Sequence, residues 1–324
     1  MASDDRLSRV IAVINGKGGV GKTSISANLA GQLAASGFKV LAVDLDPSAN
    51  LQLDLGYADD PRTDGGQSLV DAVWRGSNPN ILSGIRDDLD VWPGGHEVNL
   101  LQAMTTMPQA SDLPGGGVPT SFAAALATVA PDYDFIILDC SPGASVLQDM
   151  ALAAARYLIV PITTDAGSWE GLRLIGPRVK AARTTTNPDI VYLGAVLFDH
   201  NKASTTVFGN TLTELESVTS VVPLFETTIR HSQAVAHHAR SRGQLAHELA
   251  GDADAASKQR LAFLRQRKKD GTISIPPALP GTASSVAGDY YALAAEVLTR
   301  INNHETPADV RTVQLPSDET AVTR

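Results

Sequence analysis

The chain has 324 residues, 43% of them hydrophobic and 19% charged, with 27 glycines and 18 prolines, a composition that fits a folded globular protein and excludes disordered and collagen-like classes. Formal net charge is −9, yet six of the 26 basic residues fall in Lys258–Lys269 with no acid among them, so an acidic body with a local basic patch is expected, a solvated charged helix being the plainer reading. Apolar runs are too short for a membrane span, the first ten residues carry Asp4, Asp5, Arg6 and Arg9, and a single cysteine, Cys140, cannot supply a disulfide or a CxxC metal site; a cytoplasmic protein without structural zinc or an iron–sulfur cluster is expected.

In chain order, the first apolar run is Val10–Ile14, short and continuous as a strand buried on both faces would be. Gly16-Lys17-Gly18-Gly19-Val20-Gly21-Lys22-Thr23 follows, and fits G-x-x-x-x-G-K-[ST]. Glycines let the backbone turn its N–H groups inward around phosphates, and the next helix adds a partial positive charge at its N-terminus. Lys22 would reach the β- and γ-phosphates and the Thr23 hydroxyl would ligate Mg²⁺, so the stretch Gly16–Thr23 together with Ser24 is the expected nucleotide cradle. A helix is expected next, with Ile25, Leu29 and Leu33 on one face and Gly37 as its stop.

The second strand, Val40–Val43, runs into Asp44-Leu45-Asp46, two acids on one face because residues two apart in a strand point the same way. Ala58–Gln67 and Pro108–Pro119 read as loops. Phe135–Leu138 leads directly to Asp139, placing an acid where a magnesium-side carboxylate belongs. Leu158–Ile162 and Val191–Phe198 complete the apolar runs. Asn201, just after the last of them, stands where a base-recognising residue could lie. Thr272–Ser285 reads as a third loop and His304–Arg324 as a frayed tail. Strands alternating with helices predict an α/β protein: a doubly wound, mostly parallel sheet flanked by helices, of the P-loop NTPase type. One domain is expected over 1–303, with a helical or loop insertion over 253–285 and a flexible tail over 304–324.

With Lys17 five residues before Lys22, the sequence resembles the deviant Walker A ATPases of the ParA and MinD type. The resemblance extends to Asp44-Leu-Asp46-Pro47 with Asn50, Asp139 with Pro142, Pro161 with Glu170-Gly171, and Ile229-Arg230 through Gly243 and Glu248. It implies ATP and Mg²⁺ as cofactors and an ATP-dependent homodimer in which Lys17 crosses to the partner's nucleotide. It further implies that Asp46 positions the attacking water and that Asp44 and Asp139 hold waters of the magnesium shell. Two departures stand out: Ser48 where Gln is usual, and Cys140-Ser141-Pro142 where two prolines often follow the acid.

Within that family, the polar C-terminus broken by Pro307 and Pro316 argues against a membrane-binding tail, and with fifteen residues before Gly16 sequence-specific repression by an N-terminal helix-turn-helix is not expected. The expected member is a partition ATPase of the ParA type, nucleoid-associated, released from DNA when a ParB-like centromere-binding partner stimulates hydrolysis. Its non-specific DNA contacts are expected at Arg230, Arg240, Arg242, Lys258, Arg260, Arg265, Arg267, Lys268 and Lys269. Two alternatives remain: the same engine positioning a protein cargo such as a chemoreceptor array or microcompartment, and a metabolic P-loop enzyme for which Lys17 is incidental.

Overall fold

The computed structural model describes residues 4–113, 116–143, 146–164, 166–200, 222–255 and 281–305. Among them are eight strands, β1 (Val10–Val13), β2 (Val40–Leu45), β3 (Leu82–Arg86), β4 (Leu89–Trp92), β5 (Phe135–Cys140), β6 (Tyr157–Ile162), β7 (Val191–His200) and β8 (Leu224–Arg230). They form one sheet in the order β3-β4-β2-β5-β1-β6-β7-β8. Only the β3–β4 pair is antiparallel; the other pairs are parallel. Every residue of β1, β2, β5 and β6 is buried, as expected of strands covered on both faces.

The helices are α1 (Lys22–Ala35), α2 (Asn50–Leu55), α3 (Gln67–Arg75), α4 (Leu100–Met104), α5 (Val118–Val129), α6 (Val146–Ala154), α7 (Ala166–Thr185), α8 (Gln233–Arg242), α9 (246–255) and α10 (Ala283–Glu305). Alternate residues of each strand feed two cores. Ile11 and Val13 pack with Leu29 and Leu33 of α1 and with Leu293 and Val297 of α10. Val10, Ala12 and Ile14 pack with Phe122 of α5, Met150 of α6 and Val179 of α7. The sheet is therefore sandwiched between two helical layers, the doubly wound architecture expected.

Three strands carry no continuous apolar run and are absent from the expected set. The edge strand β3 reads Leu-Ser-Gly-Ile-Arg with only Leu82 buried, and its partner β4 follows after Asp87 and Asp88, the latter at φ 57°. β8, at the other edge, mixes Glu226, Thr227 and Thr228 with buried Phe225 and Ile229. Both acid-bearing strands are longer than expected: β2 continues through Leu45 and β5 through Cys140, so Asp44 and Asp139 lie within the sheet. The last three residues of the expected loop Thr272–Ser285 are helical, because α10 begins at Ala283, while 272–280 lie outside the described residues; α10 runs to Glu305, so His304 is helical. α5 starts at Val118, inside the expected loop, with Pro119 in its first turn where a missing N–H costs nothing.

Candidate functional site

The phosphate loop spans the end of β1 and the start of α1, at the C-terminal edge of a central strand where open α/β sheets bind ligands. Gly19 and Gly21 adopt φ of 76° and 87°, which side chains disfavour. At Gly21 a Cβ would also lie 2.5 Å from the Phe198 ring. Val20 is buried. Lys22 opens α1, is 6% exposed, and donates from Nζ to the Lys17 carbonyl at 2.7 Å, so its ammonium is folded back across the loop. Burial lowers its pKa, opposed by nearby Asp139 and Asp46.

Asn15, which the sequence did not single out, and Pro161 and Gly171, named through the family resemblance alone, hold the loop in place. Asn15, fully buried, donates from Nδ2 to the Pro161 carbonyl at 2.7 Å and accepts the Lys17 amide on Oδ1 at 2.9 Å. The Gly143 amide donates to the Gly16 carbonyl at 2.8 Å. Gly171 lies so close that a Cβ there would meet Asn15 Oδ1 at 1.9 Å. Thus β6, α7 and the segment after β5 converge on Gly16–Gly18. Asn15 was legible only as the residue before Gly16; the packing need for Gly171 had no local signal.

Asp44 and Asp139 face each other in register across β2 and β5 and are fully buried. Asp44 accepts the Asp46 amide on Oδ1 at 2.9 Å. Asp139 accepts the Ser26 hydroxyl on Oδ1 at 3.0 Å, and the Thr23 side chain also hydrogen-bonds to it. Burial pushes the Asp139 carboxyl up to about 7. Asp44 is raised well above the usual carboxylate range by burial, with Asp139 adding to the effect. The second oxygen of each carboxylate, Oδ2, is buried without a hydrogen-bond partner. Two orphaned carboxylate oxygens beside a threonine hydroxyl fit a hydrated divalent cation, which would neutralise both. Ser26, one turn after Lys22 on α1, is a member of this cluster that sequence reasoning missed.

Asp46 is 7% exposed and accepts both the amide (2.9 Å) and the hydroxyl of Ser48 on Oδ1. Ser48, a departure from the usual residue, therefore orients this acid. Ser24 donates to Asp54 of α2 at 3.4 Å.

The basic residues fall into three groups. Arg230 is engaged: Nε and Nη2 fork onto Asp289 of α10 at 2.6 and 2.8 Å, and its amide donates to the same carboxylate at 3.0 Å. Arg240 is exposed but its Nε donates to Asp54 at 2.7 Å, and Arg242 is exposed in the last turn of α8. Asn201, Lys258, Arg260, Arg265, Arg267, Lys268 and Lys269 lie outside the described residues, as does the tail from 306 onward.

The raised Asp139 carboxyl has a consequence for stability without metal. Its folded pKa, about 7, lies above the ordinary value of 3.8 for the side chain, so the folded state binds the extra proton between those values and stability falls as pH rises across that window. Above pH 7 the buried charge costs on the order of a few kcal/mol. In EDTA, Asp139→Asn is therefore expected to melt several degrees above the parent at pH 8 and near it at pH 4. Thermal unfolding at the two pH values checks this; a variant less stable than the parent at pH 8 contradicts it.

A strand–glycine loop–helix unit with paired carboxylates on the neighbouring strands defines a P-loop nucleotide-binding α/β protein. Residues 8–192 match the AAA_31 family model, an AAA domain, and the chain belongs to this family, among the ParA/MinD-type ATPases. It is 31% identical over 200 residues to the sporulation initiation inhibitor protein Soj of Bacillus subtilis strain 168, covering 59% of this chain and 72% of that protein. To the chromosome partitioning protein ParA of Myxococcus xanthus it is 30% identical over 199 residues, covering 59% of this chain and 65% of the relative, so the match spans just under two thirds of that protein's length. Among solved structures, cobyrinic acid a,c-diamide synthase from Mycobacterium smegmatis with bound ADP and magnesium superposes with a TM-score of 0.61 at 25% identity, over 84% of this chain and all of that one. The cell division ATPase MinD of Pyrococcus furiosus shares the fold, with a TM-score of 0.59 at 22% identity, over 90% of this chain and 99% of that one. The Mycobacterium smegmatis synthase is also solved with a bound ATP analogue and magnesium, and the septum site-determining protein MinD of Pyrococcus horikoshii is solved with Mg-ADP. Among the described residues, no helix is long and apolar enough to cross a membrane.

Proposed function

We infer that this chain is an ATP-driven DNA partition switch: a homodimer when ATP is bound, attached to DNA without reading its sequence, and released when a ParB-like partner stimulates hydrolysis. The observation that carries the reading is Lys17. Lys22 already occupies the inner side of the loop, so the loop has a second lysine that phosphate binding within one chain does not require. Charge contributed by a partner subunit to the transferring phosphoryl oxygens would make turnover depend on association. The partition relatives, at 30% and 31% identity, favour this over the metabolic alternative.

In this reading Gly16–Ser24 wraps the phosphates and Lys22 swings from the Lys17 carbonyl to the β- and γ-oxygens. Thr23, with Asp44 and Asp139 acting through water, would hold Mg²⁺, which supplies charge neutralisation at the phosphates. Asp46, oriented by Ser48, holds the attacking water in line. Asn201 would contact the base. Non-specific DNA contact falls to Arg240, Arg242 and the Lys258–Lys269 run, which together place the protein on the nucleoid. Arg230 contributes chiefly by pinning β8 to α10.

Two measurements test the DNA half. Affinities for unrelated duplexes should be alike and fall steeply with salt, and Arg240→Ala should lower the log–log salt slope by about one, since each phosphate contact releases about 0.9 counterion. An unchanged slope moves the contact off α8. Arg230→Ala should instead act on stability, because it removes both guanidinium bonds from the Asp289 carboxylate, whose side chain is 8% exposed, while the amide of residue 230 stays as a donor to it. The expected loss is on the order of 2–3 kcal/mol, below the penalty for a completely buried pair. Urea unfolding of both variants separates the roles; a fully stable Arg230→Ala protein with weakened DNA binding would return Arg230 to the DNA surface.

A further inference from the structure

α2 lies between the nucleotide site and the Arg240–Arg242 surface. It begins at Asn50, shortly after Asp46, and its Asp54 bridges Ser24 of α1 (3.4 Å) and Arg240 of α8 (2.7 Å). Just beyond their last turns, α2 and α8 meet backbone to backbone. Gly56 and Gly243 both have left-handed φ, 72° and 61°. A Cβ on Gly243 would sit 2.2 Å from Gly56 Cα, and one on Gly56 would sit 2.8 Å from the Gly243 carbonyl oxygen.

One guanidinium staples this contact. Arg86 of β3 donates from Nη1 to the Leu55 carbonyl at 2.8 Å and from Nη2 to the Gly243 carbonyl at 3.0 Å. The same side chain forks onto Glu248 of α9, Nε to Oε1 at 2.5 Å and Nη2 to Oε2 at 2.9 Å, and Glu248 also accepts the Leu245 amide at 2.7 Å. The last carbonyls of a helix have no partner within it, and a cation there complements the dipole. Arg86 serves two helix ends at once, with its orientation fixed by Glu248.

We propose that α2 and α8 move as one body, stapled by Arg86, and so carry displacements at the Asp46 end of the nucleotide site to the Arg240–Arg242 surface. This rests on the partition-switch reading for what that surface binds, but the coupling itself is independent of DNA. Arg86 is a positioning residue, remote from the phosphates, and packed elements with discrete arrangements transmit such shifts.

Hydrogen exchange on the full chain, with and without ATP and Mg²⁺, tests it. In the parent, ATP should change exchange at amides of both α2 and α8; in Arg86→Ala only α2 should respond. The ratio of DNA affinities with and without ATP should collapse toward one in the same variant while ATP still binds. If Arg86→Ala does not fold by circular dichroism, Arg86→Lys and Glu248→Gln decide: lysine keeps the charge but cannot fork, so α8 should lose its response in both. An α8 that follows ATP in these variants as in the parent overturns the proposal, as does a parent whose α2 responds and α8 does not. Coupled exchange in a parent with no ATP-dependent DNA binding would uphold the staple and overturn the partition reading.

Discussion

Lys22→Ala is expected to lose ATP binding by on the order of a hundredfold or more, whereas Asp46→Ala should bind ATP almost normally and cease to hydrolyse it. The two residues differ in what they touch. Lys22 is a buried cation at the N-terminus of α1, folded over the loop onto the Lys17 carbonyl, and a single preorganised charge on phosphoryl oxygens is worth several kcal/mol in a water-poor site. Removing it also leaves the Lys17 carbonyl without that donor. Asp46 hydrogen-bonds to its own segment, through Ser48 and the Asp44 side chain, and acts on Lys22 of the loop through charge alone. Nucleotide affinity by calorimetry and phosphate release on the two variants check both halves. Equal loss of binding in both would remove Asp46 from water positioning.

Lys17→Ala should still bind nucleotide as a monomer while losing ATP-dependent dimers, DNA binding and stimulated hydrolysis together. If the ammonium reaches a partner's γ-phosphate, its pairing with phosphate oxygens exists only in the dimer and only with ATP. The Lys17 amide and carbonyl are bonded to Asn15 and Lys22, and neither of these two hydrogen bonds uses the Lys17 side chain. Light scattering in ATP and in ADP, on an Asp46→Ala background so that ATP persists, reads the result directly. A Lys17→Ala protein that dimerises normally would remove the reason for treating the second lysine as anything but a loop residue.

The parts of the fold that could be read from the chain were those whose signal is local. Val10–Val13 and Phe135–Leu138 are continuous apolar runs because both faces of those strands are covered, and Gly19 and Gly21 stand where the backbone must turn left-handed. β3 and β8 escaped because edge strands mix exposed and buried positions, as Ser83, Glu226 and Thr227 do. Of the candidate site, Lys22 is legible from motif spacing and Asp44, Asp46 and Asp139 from their place at the ends of apolar runs, and the structure brings them together. The site was not legible at Asn15, whose importance comes from a carbonyl 146 residues away. Glu248 is visible through the family resemblance alone; Arg86, its partner 162 residues earlier, has no sequence signal at all. Likewise Arg230 reads as a free basic residue until Asp289 is placed beside it.

Nothing tests the switch more directly than the affinity of the full chain for one arbitrary DNA duplex, measured side by side in ATP, in ADP and without nucleotide, with Mg²⁺ present throughout and at a fixed salt concentration. The partition reading predicts tight binding in ATP alone, with ADP and nucleotide-free protein both weak. Equal affinity in all three conditions, or no DNA binding by a protein that demonstrably binds ATP, would contradict it and turn attention to the protein-cargo and metabolic alternatives.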